Sequence, residues 1–199
     1  MKWNVPEDTL SIRSSQNKSF HRLTKRNTLS TIAGIFDPLG LISPTLVDLK
    51  CMIQKLWKLG IEWDDEIPTN LKISANKSIQ DLRQIEKFQI DRYVVVNDIS
   101  AKQPSTISYD LCCFCDASNQ AYGTAVYLRS RISDVEITKT QLIFSKTRVS
   151  TKQTIPRLEL LAVLIGTRAL KYIRTQLDLD IHKVYLWTDS KCVLSRIKR

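Results

Sequence analysis

The sequence predicts an α/β (α+β) chain, with a mostly helical N-terminal half and a mixed β-sheet in the C-terminal half. Two kinds of pattern support this prediction. Apolar residues recur every three or four positions in residues 43–60 and again in 155–169, as they do in amphipathic helices. Short apolar runs fill residues 109–115 and 184–188, which is typical of buried strands.

Length and composition limit the possible classes of protein. The chain has 199 residues, of which 43% are hydrophobic, so it can form one or two domains. Five glycines and six prolines exclude a low-complexity chain, and no apolar run is long enough to span a bilayer. Residues 1–6 lack the apolar core of a secretory signal. We therefore expect an intracellular, cytoplasmic protein that is neither secreted nor bound to a membrane.

The chain is strongly basic, and the excess of positive charge is uneven. It carries 30 Lys and Arg against 20 Asp and Glu, a formal charge of +10. Residues 1–107 carry 15 basic and 12 acidic side chains, a difference of 3, whereas 108–199 carry 15 and 8, a difference of 7. This excess favours a polyanionic partner, but a solvated basic surface would give the same composition, so charge alone leaves both interpretations open.

The five cysteines do not indicate a disulfide framework. Cys112, Cys113 and Cys115 lie in one predicted strand, whereas the other two are far away in the sequence. An odd count without an export signal argues against disulfides, and neither histidine has the spacing of a zinc site. We expect the three neighbouring thiols to be packed in a central strand as small hydrophobic groups.

The first half begins with a strand, a turn and a strand in residues 2–12, a ribbon that is rarely stable alone and so is expected to pair with an upstream segment. A helix is predicted over 28–36. The next helix is predicted to have Ser43 as its N-cap, Pro44 in its first turn and Gly60 at its end.

The remaining elements of this half are less regular. A third helix is predicted from an apolar stripe that begins at Leu71 and ends at Phe88. A short strand is predicted over 93–96, and the polar segment 97–106 is predicted to be a domain boundary. The domains are therefore 1–106 and 107–199.

In the second half, a strand ending at Asp116 is followed by strands over 121–128 and 138–147. A long helix then begins at Thr154, and the last strand covers 183–188. Gly123 indicates close approach of another backbone. Gly166, within the long helix, costs about 1 kcal/mol relative to alanine and so indicates tight packing.

Three carboxylates stand out because each lies within hydrophobic sequence: Asp116, Glu159 and Asp189. A buried carboxylate needs a polar partner or a cation. Strand-helix-strand crossovers are right-handed, so the strand ending in Asp189 should lie parallel to and beside the strand ending in Asp116. Oxygen ligands suit Mg²⁺ or Mn²⁺. Taken singly, each acid could equally be an exposed carboxylate at the end of a strand or in a first helical turn.

The order of these motifs resembles the ribonuclease H fold of reverse-transcribing elements, most closely the Bel/Pao type of retrotransposon polyprotein. The resemblance covers Ser108 to the C-terminus, and it rests on Cys115-Asp116-Ala117-Ser118, Ala121-Tyr122-Gly123, Ile155-Pro156-Arg157-Leu158-Glu159-Leu160 and Trp187-Thr188-Asp189-Ser190. It implies an incomplete ribonuclease H-like mixed sheet with strand order 3-2-1-4 in 107–199. It also implies a reverse transcriptase thumb- or connection-like region in 1–106.

The same resemblance implies an activity and its partners. The C-terminal half would be a two-metal-ion phosphodiesterase that cuts the RNA strand of RNA:DNA hybrids, with Mg²⁺ (or Mn²⁺) held by the catalytic residues Asp116, Glu159 and Asp189. The residues expected to contact nucleic acid are Arg148, Lys152, Arg157, Ser118 and Ser190. The other implied partner is the rest of the polyprotein, with the polymerase upstream and the integrase downstream.

Two other functions remain possible from the sequence. The family supplies a fourth carboxylate after the helix that begins at Ser190, so the isolated chain is expected to be inactive and could be a non-catalytic nucleic-acid-binding remnant. The family label "Pao retrotransposon peptidase" suggests an aspartic peptidase instead. Such an enzyme normally carries its paired aspartates in Asp-Thr-Gly or Asp-Ser-Gly, and neither tripeptide occurs here.

Overall fold

The computed structural model describes residues 1–13, 22–85, 87–95, 107–132 and 137–197. The chain divides into two compact units. Unit 1 consists of 1–38 and 42–92, and unit 2 consists of 39–41 and 93–199. The short segment 39–41 belongs to unit 2 because the carbonyl oxygen of Leu39 accepts a hydrogen bond from the Ser145 N–H at 2.8 Å. The predicted boundary segment 97–106 lies outside the described residues.

Unit 1 contains a small antiparallel sheet of three strands: β1 (Lys2–Asn4), β2 (Thr9–Ser11) and β3 (Gln89–Asp91), with β2 in the middle. The predicted ribbon is confirmed, but its third partner is β3 of the same chain. The prediction of a strand over 93–96 is wrong, because residues 93–95 form no strand; residue 96 is not described. The pairing of Leu10 with Ile90 decides which residues form the strand, and Val94 instead packs against the core of unit 2.

The rest of unit 1 is helical: α1 (Lys25–Ala33), α2 (Ser43–Lys58) and α3 (Thr69–Ile85), with α2 packed against the other two. Helix α1 begins earlier than predicted because Thr24 and Asn27 form a capping box. The prediction that Ser43 is an N-cap is wrong. Ile42 occupies that position, and its N–H donates to the Asp37 carboxylate at 3.0 Å.

The apolar stripe of α2 is buried as predicted, through Leu46, Leu49, Ile53 and Leu56. Phe88, in contrast, was predicted to be buried and is 62% exposed. The reason is that α3 ends at Ile85, so Phe88 no longer follows the helical repeat.

Unit 2 is built on a four-stranded sheet: β4 (Ile107–Ala117), β5 (Ala121–Ile132), β6 (Ile137–Val149) and β7 (Ile181–Trp187). The order is β6-β5-β4-β7, with β4 and β7 parallel and the other pairs antiparallel. The helices are α4 (Ile155–Gln176), which connects β6 to β7, and α5 (Lys191–Ile197). The predicted α/β class and the mixed sheet of order 3-2-1-4 are confirmed.

Helix α4 packs on the face of the sheet formed by alternate residues of β4 and β5. A Cβ atom on Gly166 would lie 2.5 Å from the Cys115 Sγ and 2.9 Å from the Cys113 Sγ, so glycine is required for this approach. A Cβ atom on Gly123 would lie 2.9 Å from the backbone oxygen of Lys146. Both predictions of tight packing at glycine are therefore confirmed.

Cys112, Cys113 and Cys115 are buried free thiols, as predicted. Burial raises the pKa of the Cys112 thiol. In the part of the chain that the structure describes, no helix has the length and apolar character needed to cross a membrane.

We expect Gly166→Ala to destabilise the protein by about 1–3 kcal/mol, because the added methyl group overpacks the contact between α4 and β4. This loss outweighs the better helix propensity of alanine, which is about 1 kcal/mol. Denaturant unfolding measures the change. Thr167→Ala, at the exposed neighbouring position, is the control and should change stability little. Equal stability of the two variants would contradict the packing argument.

Candidate functional site

Two of the predicted acids lie at the same edge of the sheet. Phe114 of β4 is paired with Trp187 of β7 in the parallel ladder, and Asp116 and Asp189 each follow two residues later. Both side chains are exposed, and neither forms an ion pair with a described residue. The Asp116 Oδ1 accepts the N–H of Ala117 at 2.6 Å. The structure therefore places the two carboxylates at neighbouring strand ends, as predicted from the right-handed crossover.

Glu159 lies in the first turns of α4 and is half-buried. Its Oε2 accepts a hydrogen bond from the hydroxyl of Ser190, the residue that follows Asp189. The Ser190 Oγ also accepts the N–H of Val193 at 3.3 Å, so the same side chain caps α5. Ser190 is 5% exposed. The Ser190 hydroxyl therefore links the Glu159 carboxylate to the segment that carries Asp189.

The donor set at this edge is suitable for a hard divalent cation. Asp116, Glu159 and Asp189 supply carboxylate oxygens, the ligand type that Mg²⁺ and Mn²⁺ prefer. Among the described residues, however, no group of three or more His, Cys, Asp or Glu side chains is arranged to hold a metal ion. The residues therefore fit such an ion in chemical type, while their side chains are not gathered into a three-ligand group.

Three of the residues predicted to contact nucleic acid are cations that flank the start of α4 in the sequence. Arg148, Lys152 and Arg157 are exposed, and none forms an ion pair within the described part of the chain. Arg148 lies opposite Tyr122, which in turn lies opposite Ala117, so it stands one row beyond Asp116 on the sheet. The charges of these three cations are therefore not compensated by an acid of the described residues.

The two serines that were predicted to contact nucleic acid, unlike these cations, have hydrogen-bond partners within the chain. The Ser118 Oγ accepts the N–H groups of Gln120 and Ala121, both at 3.2 Å, and so stabilises the turn between β4 and β5. Ser190 is engaged with Glu159 and with α5. Both hydroxyls therefore already have partners inside the chain.

Sequence reasoning missed an ion-pair cluster on the sheet face opposite α4. Asp110 is fully buried, and its Oδ2 lies 2.8 Å from the Arg129 Nη2 and 3.0 Å from the Arg131 Nη2. The hydrogen bond to Asp110 raises the pKa of the Arg129 guanidinium. A buried carboxylate needs such partners. The available signal was an acid inside the apolar run 109–115, beside a strand with two arginines.

The same face carries a row of aromatic rings. Trp187 stacks on Phe114 at 4.8 Å and on Tyr185 at 5.2 Å, and Tyr127 meets Phe114 edge-on at 5.8 Å. The Arg129 guanidinium lies 5.2 Å from the centroid of the Tyr185 ring. Each of these rings thus contacts another ring of the row, while Phe114 remains 48% and Trp187 41% exposed.

Comparison with known proteins gives a family match for this chain. The family described as "Pao retrotransposon-like RNaseH-like domain" matches residues 24–190, more than half of the chain. None of the curated proteins compared with the chain matches it.

A similar solved structure is entitled "Structure of the foamy viral protease-reverse transcriptase in complex with dsDNA". It is 18% identical, with a TM-score of 0.25, and the match covers 89% of this chain and 33% of that one. The chain therefore spans about a third of the length of that solved chain.

We expect Ser190→Ala to lower the free energy of unfolding by about 2 kcal/mol, because it removes a hydrogen bond to a carboxylate and an N-cap together. Ser190→Thr keeps a hydroxyl and should retain most of the stability. Ser195→Ala, at an exposed position of α5, is the matched control. Urea unfolding distinguishes the three variants, and equal losses for the two alanine variants would contradict this role of Ser190.

Proposed function

Since the chain belongs to the Pao retrotransposon-like RNaseH-like domain family, we propose that unit 2 is the metal-dependent nuclease of a retrotransposon polyprotein. In this proposal it cuts the RNA strand of RNA:DNA hybrids. The observation that carries the proposal is the placement of Asp116 and Asp189 at the ends of adjacent parallel strands, with Glu159 bonded to the residue after Asp189.

In the proposed site, Asp116, Glu159 and Asp189 would hold Mg²⁺ or Mn²⁺ through carboxylate oxygens. When bound, such ions supply an activated water and charge stabilisation for in-line phosphodiester cleavage. Ser190 would keep the Glu159 carboxylate turned toward the strand edge. The exposure of Asp116 and Asp189 leaves room for the substrate phosphate between protein and solvent.

Substrate binding in this proposal depends on cations. Arg148, Lys152 and Arg157 would contact phosphates of the hybrid, since they are exposed and form no ion pair with a described residue. Each phosphate contact releases counterions, so binding is expected to depend on salt.

The remaining part of the proposal concerns the polyprotein. Residues 1–106 would be the thumb- or connection-like end of the reverse transcriptase, with the polymerase upstream and the integrase downstream. The described part of this region, a helical bundle with a small sheet, is compatible with a connecting role.

A second candidate function is a module that binds nucleic acid without cutting it. The observation that favours it is that the described side chains form no three-ligand metal group. The peptidase alternative has no such support, because the matched family is described as an RNaseH-like domain and the chain lacks both aspartic-protease tripeptides.

We predict that Asp116→Asn and Asp189→Asn each weaken Mn²⁺ binding at least about tenfold and abolish metal-dependent cutting of the RNA strand, because both remove a ligand charge. Calorimetry measures Mn²⁺ binding, and a gel assay with a labelled hybrid measures cutting. Mn²⁺ binding is measured on the 199-residue chain, which is expected to be inactive alone, and cutting is measured on the same chain in its polyprotein. Asp180→Asn, an exposed acid before β7, is the control.

The same experiment distinguishes the nuclease from the non-catalytic module and from the peptidase. Mn²⁺ binding that is equal in all three variants, together with hybrid binding in the absence of cutting, would favour the non-catalytic module. If the protein cut peptides, and an aspartic-protease inhibitor rather than chelation stopped this activity, the protein would be a peptidase and the nuclease proposal would be wrong.

We also predict that affinity for the hybrid falls steeply as salt rises. Combined replacement of Arg148, Lys152 and Arg157 by Gln should reduce the slope of log K against log salt by about 3, since each lost phosphate contact removes about 0.9. Fluorescence anisotropy at several salt concentrations measures the slope. Replacement of the exposed Lys55, Lys58 and Lys77 of unit 1 by Gln is the matched control. An equal change in both triple variants would mean that the attraction is not localised at the acids.

A further inference from the structure

The C-terminal half of α4 carries a second group of exposed basic residues, away from the acids. Arg168, Lys171 and Arg174 are exposed, and Tyr172, which lies among them, is 65% exposed. At a rise of about 1.5 Å per residue, this group begins about 14 Å from Glu159 along the helix and ends about 22 Å from it. It is therefore separate from the candidate catalytic edge.

Three pairs of these side chains are neighbours on the helix surface. Arg168 lies four residues from Tyr172 and three from Lys171, and Lys171 lies three residues from Arg174, so Tyr172 and Arg174 flank the group on its two sides. The opposite side of the helix, which includes Ala169, Leu170 and Ile173, is buried on the sheet. We call the exposed group Arg168, Lys171, Tyr172 and Arg174 the α4 ridge.

The ridge has positive charge without internal compensation. The acid of α4 is Glu159, which accepts its hydrogen bond from Ser190 at the other end of the helix. None of the ridge cations takes part in an ion pair with a described residue. Three uncompensated charges within seven residues complement a chain of phosphates.

Tyr172 differs from the exposed aromatic residues on the opposite side of the sheet. In that row, Trp187 stacks on Phe114 and on Tyr185, and Arg129 lies over the Tyr185 ring. The ring of Tyr172 takes part in none of the ring or cation contacts among the described residues. The ring of Tyr172 is therefore available for stacking on both faces, whereas each of theirs already has a stacked ring.

We propose that the α4 ridge binds single-stranded nucleic acid, with one base stacked on Tyr172 and neighbouring phosphates held by Arg168, Lys171 and Arg174. Base stacking on an aromatic ring combined with basic side chains along the backbone is the general mode of binding single strands. A duplex hides its base faces, so the exposed ring selects an unpaired strand. This ligand and these residues differ from those of the proposed nuclease site, and the ridge does not require that site to be active.

The experiment compares ligands with and without unpaired bases. Anisotropy of the full chain is measured with labelled single-stranded RNA and DNA of 12 nucleotides, with a blunt RNA:DNA hybrid, and with that hybrid carrying a single-stranded tail. The variants are Tyr172→Ala, Tyr172→Phe and the double replacement Arg168→Gln with Lys171→Gln. Phe88→Ala, an exposed aromatic position in unit 1, is the control. Unfolding midpoints check that all variants are folded.

We expect Tyr172→Ala to weaken binding of the single strands and of the tailed hybrid by about tenfold, as the loss of one stacked base does, while Tyr172→Phe stays within about twofold of the parent. The double variant should weaken the same ligands and reduce their salt slope by about 1.4, since a single strand loses about 0.7 for each contact. The blunt hybrid should bind all variants alike. Comparison of the affinities for single-stranded RNA and DNA shows whether the ridge distinguishes ribose from deoxyribose.

Three results would overturn the proposal: Tyr172→Ala has no more effect than Phe88→Ala, Tyr172→Phe loses as much as Tyr172→Ala, or the blunt hybrid loses as much as the single strands. The last result would make the ridge a contact for duplex phosphates. Failure of the nuclease proposal is recognised separately, because it concerns Mn²⁺ binding and cutting by the Asp116 and Asp189 variants.

Discussion

The close packing of α4 on β4 and β5 is the contact on which the arrangement of unit 2 depends. Gly166 lets the helix approach Cys113 and Cys115 so closely that any Cβ atom would collide with their sulfur atoms. Because α4 lies on this face, the chain returns to the sheet as β7, parallel to β4. The same packing directs Glu159 toward Ser190. One helix-on-sheet contact thus joins the strand that carries Asp116 to the helix that carries Glu159.

This contact also gives unit 2 two chemically different surfaces. On the solvent side of α4, cations are uncompensated and the ring of Tyr172 is open. On the opposite face of the sheet, Asp110 neutralises part of the charge of two arginines, and the aromatic rings cover one another. The two surfaces therefore differ in charge and in the exposure of their rings, and the proposed binding of single strands concerns the α4 side.

The sequence predicted the sheet order through its resemblance to the ribonuclease H fold, and the strand-end positions of Asp116 and Asp189 through the apolar runs and the handedness of the crossover. It failed where a distant contact decides the outcome. The strand predicted at 93–96 is replaced by β3, which is selected by pairing with β2. The sequence likewise did not predict the hydrogen bond between the Ser190 hydroxyl and Glu159, which are 31 residues apart.

The sequence by itself determined the α/β class, the acids at the ends of apolar strands and the excess of basic residues in the second half, because composition and periodicity are local properties. Tertiary structure decided what these side chains touch. It decided that the charge of Asp110 is shared with Arg129 and Arg131, and that Glu159 bonds to Ser190. It also decided that Tyr172 keeps an open ring face. The physical reason is that hydrogen bonds, ion pairs and ring stacking act over a few ångströms between residues that only folding brings together.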